Sequence, residues 1–133
     1  MPMKLMGSRI IRLPAILSVA FAVLASGFMP AAAETLSFRV KNDSPHVIEL
    51  AFYSMNRAYE WPGNNQAWVL KDNLIHTFRL TCQRGEDICL GAWQQGNRNR
   101  YWGMGFNADH ECENCCYYCN GQTTDIKSLY HLQ

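Results

Sequence analysis

The 133-residue sequence contains no Gly-x-Ser-x-Gly nucleophile elbow and no His-Glu-x-x-His zinc motif. No nucleophile and base can be argued to converge, so hydrolase chemistry has no support in the sequence. EF-hand spacing is missing, as are internal repeats and low-complexity linkers. Beyond residue 33 there is no long helical periodicity and no second apolar stretch of membrane length. A basic excess is missing too, apart from the pair Arg98 and Arg100, which argues against a nucleic-acid partner. These absences leave a small non-helical domain whose chemistry must come from its cysteines, its aromatics or its loops.

The N-terminus has the pattern of a secretory signal peptide. Lys4, Arg9 and Arg12 form a positive region, residues 15–25 form an apolar core, and Ala31-Ala32-Ala33 supplies small residues before a cut. Cleavage is expected between Ala33 and Glu34, giving a signal peptide at 1–33 and one cysteine-rich domain at 34–133. A retained anchor is the competing reading, but the run from Leu13 to Met29 is interrupted by Pro14, Ser18, Ser26 and Gly27. No membrane span is expected after cleavage. The leader holds three of the twelve Lys and Arg and none of the eleven Asp and Glu, so the remainder carries a formal charge of −2.

All six cysteines follow the expected cut: Cys82, Cys89, Cys112, Cys115, Cys116 and Cys119. Export to the periplasm or the extracellular space would place them where paired disulfides are the default. A domain this small needs them, because net stability is only about 5–15 kcal/mol and a cross-link supplies a large share of it.

Short alternating runs separated by turn residues fill the rest of the chain. Leu36, Phe38 and Val40 share one face of a first strand, and Ile48, Leu50 and Phe52 one face of a second. Residues 67–70 form a third strand. His76, Phe78, Leu80 and Cys82 share a face of a fourth, and Ile88 to Trp93 is a fifth. Trp102, Met104 and Phe106 alternate with Gly103 and Gly105 in a sixth, where glycines suggest a bulge or a close approach by another backbone or ligand. Thr124, Ile126, Ser128, Tyr130 and Leu132 form the last. Pro62-Gly63 suits the centre of a type II turn, and residues 94–100 have the composition of a polar loop. The pattern predicts an all-β, disulfide-stabilised, small antiparallel β-sandwich or barrel of about seven strands.

Gly85-Glu86 between the fourth and fifth strands fits a two-residue type II′ hairpin, which would set Cys82 directly opposite Cys89. The four other cysteines would then pair 112–115 with 116–119, or 112–116 with 115–119. Bridges from the cluster to Cys82 or Cys89 stay open. In zinc or redox readings the CxxCCxxC cluster would use its thiolates, with His110, Cys112, Cys115, Cys116 and Cys119 as the candidate ligands. Export, abutting half-sites and the acidic neighbours Asp109, Glu111 and Glu113 favour structural disulfides, with no cofactor.

Several aromatics stand beside amides: Trp61 near Asn64 and Asn65, Trp93 before Gln94 and Gln95, and Tyr101 and Trp102 after Asn97, Arg98 and Asn99. Flat rings beside amide donors and acceptors suit sugar or peptide recognition. Alternatively, Trp68, Trp93 and Trp102 fill the core and the amides solvate loops. The expected candidate ligand surface is therefore the pair of loops 57–66 and 94–102, with Trp61, Asn64, Asn65, Trp93, Asn97, Arg98, Tyr101 and Trp102 as its residues. The expected role is a non-catalytic exported binding or structural module with a glycan or protein partner.

Overall fold

The computed structural model describes residues 27–28, 32–105 and 112–130. Nearly all of the expected leader, and also Phe106 and His110, lie outside these residues. The described chain is all β, with nine strands: β1 (Ala33–Lys41), β2 (Ile48–Ser54), β3 (Glu60–Trp61), β4 (Trp68–Leu70), β5 (Ile75–Gln83), β6 (Asp87–Gln94), β7 (Asn97–Gly103), β8 (Cys116–Tyr118) and β9 (Thr123–Ser128). β3 and β8 are short strands beyond the seven expected, each two or three residues long.

Two sheets face each other. One has the order β5-β1-β9; in the other, β2 and β6 are central. β3 and β4 share one flank of β2, while β7 and β8 share the far flank of β6. The pairing is antiparallel except between β1 and β9, which run parallel.

The alternation read in the sequence sets the core. Leu36, Phe38 and Val40 from β1 and Leu80 from β5 meet Ile48, Leu50 and Phe52 from β2 and Ile88, Leu90 and Ala92 from β6. The Phe38 and Phe52 ring centroids are 4.6 Å apart, and Trp68 packs against Phe52 and Phe78. β2 and β6 are buried on both faces. Ala51, Tyr53 and Trp93 form a second apolar cluster on the side away from the core.

The expected β5–β6 hairpin is corrected. The Glu86 N–H donates to the Gln83 carbonyl at 2.9 Å, so Arg84 and Gly85 are the central residues of the turn, with Gly85 at φ 79°. Positive φ at the second central position is type II geometry, which splays the flanking strands instead of pairing them. β5 and β6 accordingly enter different sheets. Cys82 sits on the core face with Leu80, whereas Cys89 lies between Ile88 and Leu90 and points away from the core. The two cannot bond.

The observed disulfides are Cys82–Cys119, Cys89–Cys116 and Cys112–Cys115, with Cα separations of 6.2, 4.0 and 6.0 Å. Of the pairings that follow from a Cys82–Cys89 hairpin, only Cys112–Cys115 forms; the other two are bridges from the cluster to Cys82 and Cys89, the alternative the sequence left open. The cluster is partly strand: Cys116 lies on β8 opposite Cys89 on β6.

Three further local expectations change. Gln94 pairs with Asn97, so the polar loop is a two-residue turn and Asn97–Arg100 is strand. The hydrogen-bonded turn near Pro62 closes two residues later, from the Gln66 N–H to the Gly63 carbonyl, with Asn64 and Asn65 both at φ 56°. That is type I′ geometry, which asparagine tolerates. In β9 the register with β1 shifts between Ser37 and Arg39, and Thr123 and Ile126 are the successive partners. The bulge turns Thr124, Lys127 and Leu129 inward and leaves Ile126 exposed.

The expected close approach at glycine is present. A Cβ on Gly91 would lie 2.1 Å from the Met104 carbonyl oxygen and 2.3 Å from the Tyr101 hydroxyl. One on Gly103 would lie 2.2 Å from the Leu90 carbonyl. The end of β7 therefore lies directly on β6.

Candidate functional site

The chain leaves β2 through a tight, fully bonded turn. The Ser54 N–H donates to the Tyr59 carbonyl at 3.0 Å, and the Tyr59 N–H to the Arg57 carbonyl at 2.8 Å. The Ser54 hydroxyl accepts the Asn56 and Arg57 N–H groups and donates to Glu86 Oε1 at 2.7 Å. Arg57, Tyr59 and Trp61 then alternate, so their side chains share one side of the segment.

Glu86 anchors this segment from the type II turn. Its side chain is 1% exposed and accepts Arg57 Nε at 2.5 Å, Arg57 Nη2 at 3.1 Å, the Ser54 hydroxyl and the Gln83 N–H. Burial alone would push the Glu86 carboxyl up. The bonds from Arg57, Ser54 and Gln83 outweigh it and hold the group below its ordinary value. The same bonds from Glu86 strengthen the charge on Arg57.

The guanidinium of Arg57 lies over the Tyr59 ring, 4.3 Å from its centroid. Tyr59 meets Trp61 edge to face at 4.9 Å. The Trp61 indole N–H donates to the Thr81 carbonyl of β5 at 3.1 Å, so the short β3 is tied to the edge of the other sheet. Trp61 is 8% exposed, whereas Tyr59 is 49% exposed.

These side chains form one wall of a groove of about 540 Å³, whose other wall is Arg79, Thr81 and Gln83 of β5. Among the described residues no ion pair or hydrogen bond occupies the Arg79 side chain. The groove thus offers an exposed ring held in place by a buried carboxylate, a free guanidinium and a hydroxyl. That set can stack on a sugar or planar group and bind an anion in two-pronged fashion.

The sequence-derived surface does not come together as one patch. Trp61 is in the groove. Asn64 and Asn65 form the exposed type I′ turn, which leads to Ala67 beside the Ala51–Tyr53–Trp93 cluster. Trp93, Asn97, Arg98 and Tyr101 lie around β6 and β7, across the sheet from β3. There Trp93 is 6% exposed, its indole N–H donates to Glu49 Oε2 at 2.7 Å, and Arg98 and Tyr101 lie against its ring. Trp102 packs on the core. Arg57 and Tyr59 lie within the expected loop 57–66 without being singled out there, and Glu86, Arg79 and Thr81 were missed. The alternation Arg57-x-Tyr59-x-Trp61 and the polar face of β5 were the available signals.

The Sγ atoms of Cys89, Cys115 and Cys116 lie within 4.8 Å of one another. Each is bonded in a disulfide, and a disulfide sulfur is not the thiolate that metal binding uses. His110, the nitrogen donor of the zinc reading, lies outside the described residues. Comparison with protein-family models, with curated proteins and with solved structures returned no match, so the site is read from its geometry alone.

Proposed function

We propose that the chain is an exported, non-catalytic binding module and that the groove between β3 and β5 takes a glycan. The observation that carries this reading is the half-exposed Tyr59 ring, held by Arg57 and Trp61 in the same groove as the unoccupied Arg79 guanidinium. Carbohydrate sites combine a fixed aromatic face with polar groups at its edge, and fixing the ring beforehand lowers the ordering cost of binding. Export is supported by the leader pattern and by three disulfides, a feature typical of periplasmic and extracellular proteins. Pairing of all six thiols supports the structural reading of the CxxCCxxC cluster over zinc or redox use.

Glycan-array binding followed by calorimetry tests the proposal. Tyr59→Ala is expected to weaken binding about tenfold, equal to about 1.4 kcal/mol, with little change in thermal stability because the ring is half exposed. Trp61 is a poorer probe, since truncating so buried a ring costs about 3–5 kcal/mol of folding stability. A Tyr59→Ala protein that folds and binds every ligand as before would remove the groove from consideration.

A further inference from the structure

The groove does not end at β5. Arg79 and Thr81 also belong to the outer face of the β5-β1-β9 sheet, where Thr35 pairs with Thr81, Ser37 with Arg79, and Arg39 with Thr77. Arg39 and Arg79 are therefore diagonal neighbours on adjacent strands, about 7–8 Å apart at Cα. Neither side chain has a hydrogen bond or ion pair among the described residues, and no Asp or Glu stands on these positions. Four other cations are matched: Lys41 with Asp43, Arg57 with Glu86, Arg84 with Glu34, Lys127 with Asp125; Arg98 lies over the Trp93 ring and Arg100 against His46, so Arg39 and Arg79 are the like-charged neighbours on one sheet face. Two like charges side by side disfavour each other unless an anion bridges them.

We infer that the ligand is an acidic polysaccharide, running from the Tyr59 groove onto this face, where Arg39 and Arg79 bind its carboxylate or sulfate groups. The inference rests on the groove reading and specifies its ligand. The surrounding Thr35, Ser37, Thr77 and Thr81 hydroxyls both donate and accept, which suits the hydroxyls of a sugar chain. From Thr35 to Lys41 the face runs about 20 Å along β1, room for several sugar units. A membrane surface fits less well, because the large apolar side chains on these strand positions are confined to Ile75 and Ile126 at the rim. Duplex nucleic acid fits less well, because two arginines on a hydroxyl-lined face are few against a backbone that carries one charge per about 1.7 Å.

The test is calorimetric titration of the disulfide-bonded protein with polygalacturonate, dextran sulfate and heparin. Methyl-esterified polygalacturonate and plain dextran serve as neutral partners. At least one acidic polymer is expected to bind about tenfold or more tightly than its neutral partner, with affinity falling as salt rises. Arg39→Gln and Arg79→Gln, both on a solvent-facing sheet surface, are each expected to weaken that binding about three- to tenfold with unchanged thermal stability. Binding to none of the acidic polymers, equal binding to the neutral ones, or tighter binding to phosphatidylglycerol vesicles or duplex DNA would overturn the inference. If Tyr59→Ala and Arg79→Gln weaken binding while Arg39→Gln does not, the groove stands and its extension over the face falls. If both arginine variants weaken binding and Tyr59→Ala does not, the face stands and the groove reading falls.

Discussion

Glu86 occupies the corner where the chain passes from one sheet to the other, and its four hydrogen bonds fix both the turn and the groove wall. Removing the charge leaves Arg57, the Ser54 hydroxyl and the Gln83 N–H poorly matched. Glu86→Gln is expected to cost about 2–3 kcal/mol in denaturant unfolding. It is also expected to weaken glycan binding, because Arg57 no longer holds Tyr59. The pH dependence has a definite sign. A carboxyl held below its unfolded value contributes stability that is complete above the unfolded pKa, about 4.3. That contribution is lost as pH falls through the folded pKa. The stability gap between wild type and Glu86→Gln should therefore be constant from neutral pH to about pH 5 and shrink below about pH 4. A gap that persisted unchanged at pH 3 would show that the Glu86 charge is not what stabilises the corner. Gly91 makes a complementary case: the Met104 carbonyl occupies the space a Cβ needs, so Gly91→Ala should destabilise by about 2–4 kcal/mol, read as a lowered denaturant midpoint.

Among the elements, the disulfides differ in what they close. Cys82–Cys119 spans 37 residues and Cys89–Cys116 spans 27, whereas Cys112–Cys115 spans three. Chain entropy assigns about 4 kcal/mol to each long loop and about 2 kcal/mol to the short one. The Cys82→Ser/Cys119→Ser pair should therefore lower stability about twice as much as Cys112→Ser/Cys115→Ser; equal losses would count against these connectivities. Non-reducing peptide mapping should return the same three pairs. The strands of the core were legible because Leu36, Phe38 and Val40, and likewise Ile48, Leu50 and Phe52, alternate without interruption. Sheet membership was less legible. A turn with Gly85 at its second central position and one with Gly85 at its first have the same sequence, yet one splays the strands and the other pairs them. Parity carried a usable signal, since Cys89 between Ile88 and Leu90 must point away from the core that Cys82 faces. The β9 bulge had no comparable signal, because Thr124 and Ile126 continue the period that the bulge breaks. In the site, Trp61 was found by its neighbours, but Arg79 and Thr81 reach it only through the contact between sheets.

Over the whole molecule, the first and last strands lie side by side, and β9 reaches β1 only after the chain has passed through both sheets. Such non-local pairing carries a loop-closure cost before any contact repays it. Cys119, just before β9, is bonded to Cys82 on β5, which itself pairs with β1. The bridge holds the start of the last strand beside the sheet it joins. Cys89–Cys116 does the same for β8 against β6. Together the two long loops account for about 7–8 kcal/mol by chain entropy, comparable with the whole net stability of a domain this size. Reduction should consequently abolish folding rather than loosen one end. Residues 34–133 produced without the leader in a reducing cytosol are expected to have six free thiols, little near-ultraviolet dichroism and no cooperative thermal transition. The same residues exported behind the leader should begin at Glu34 by intact mass, have no free thiols under denaturing conditions, and melt cooperatively. A reduced chain that melted as cooperatively as the exported one would show that the two apolar faces suffice alone. The dependence on an oxidising compartment would then lose its physical basis.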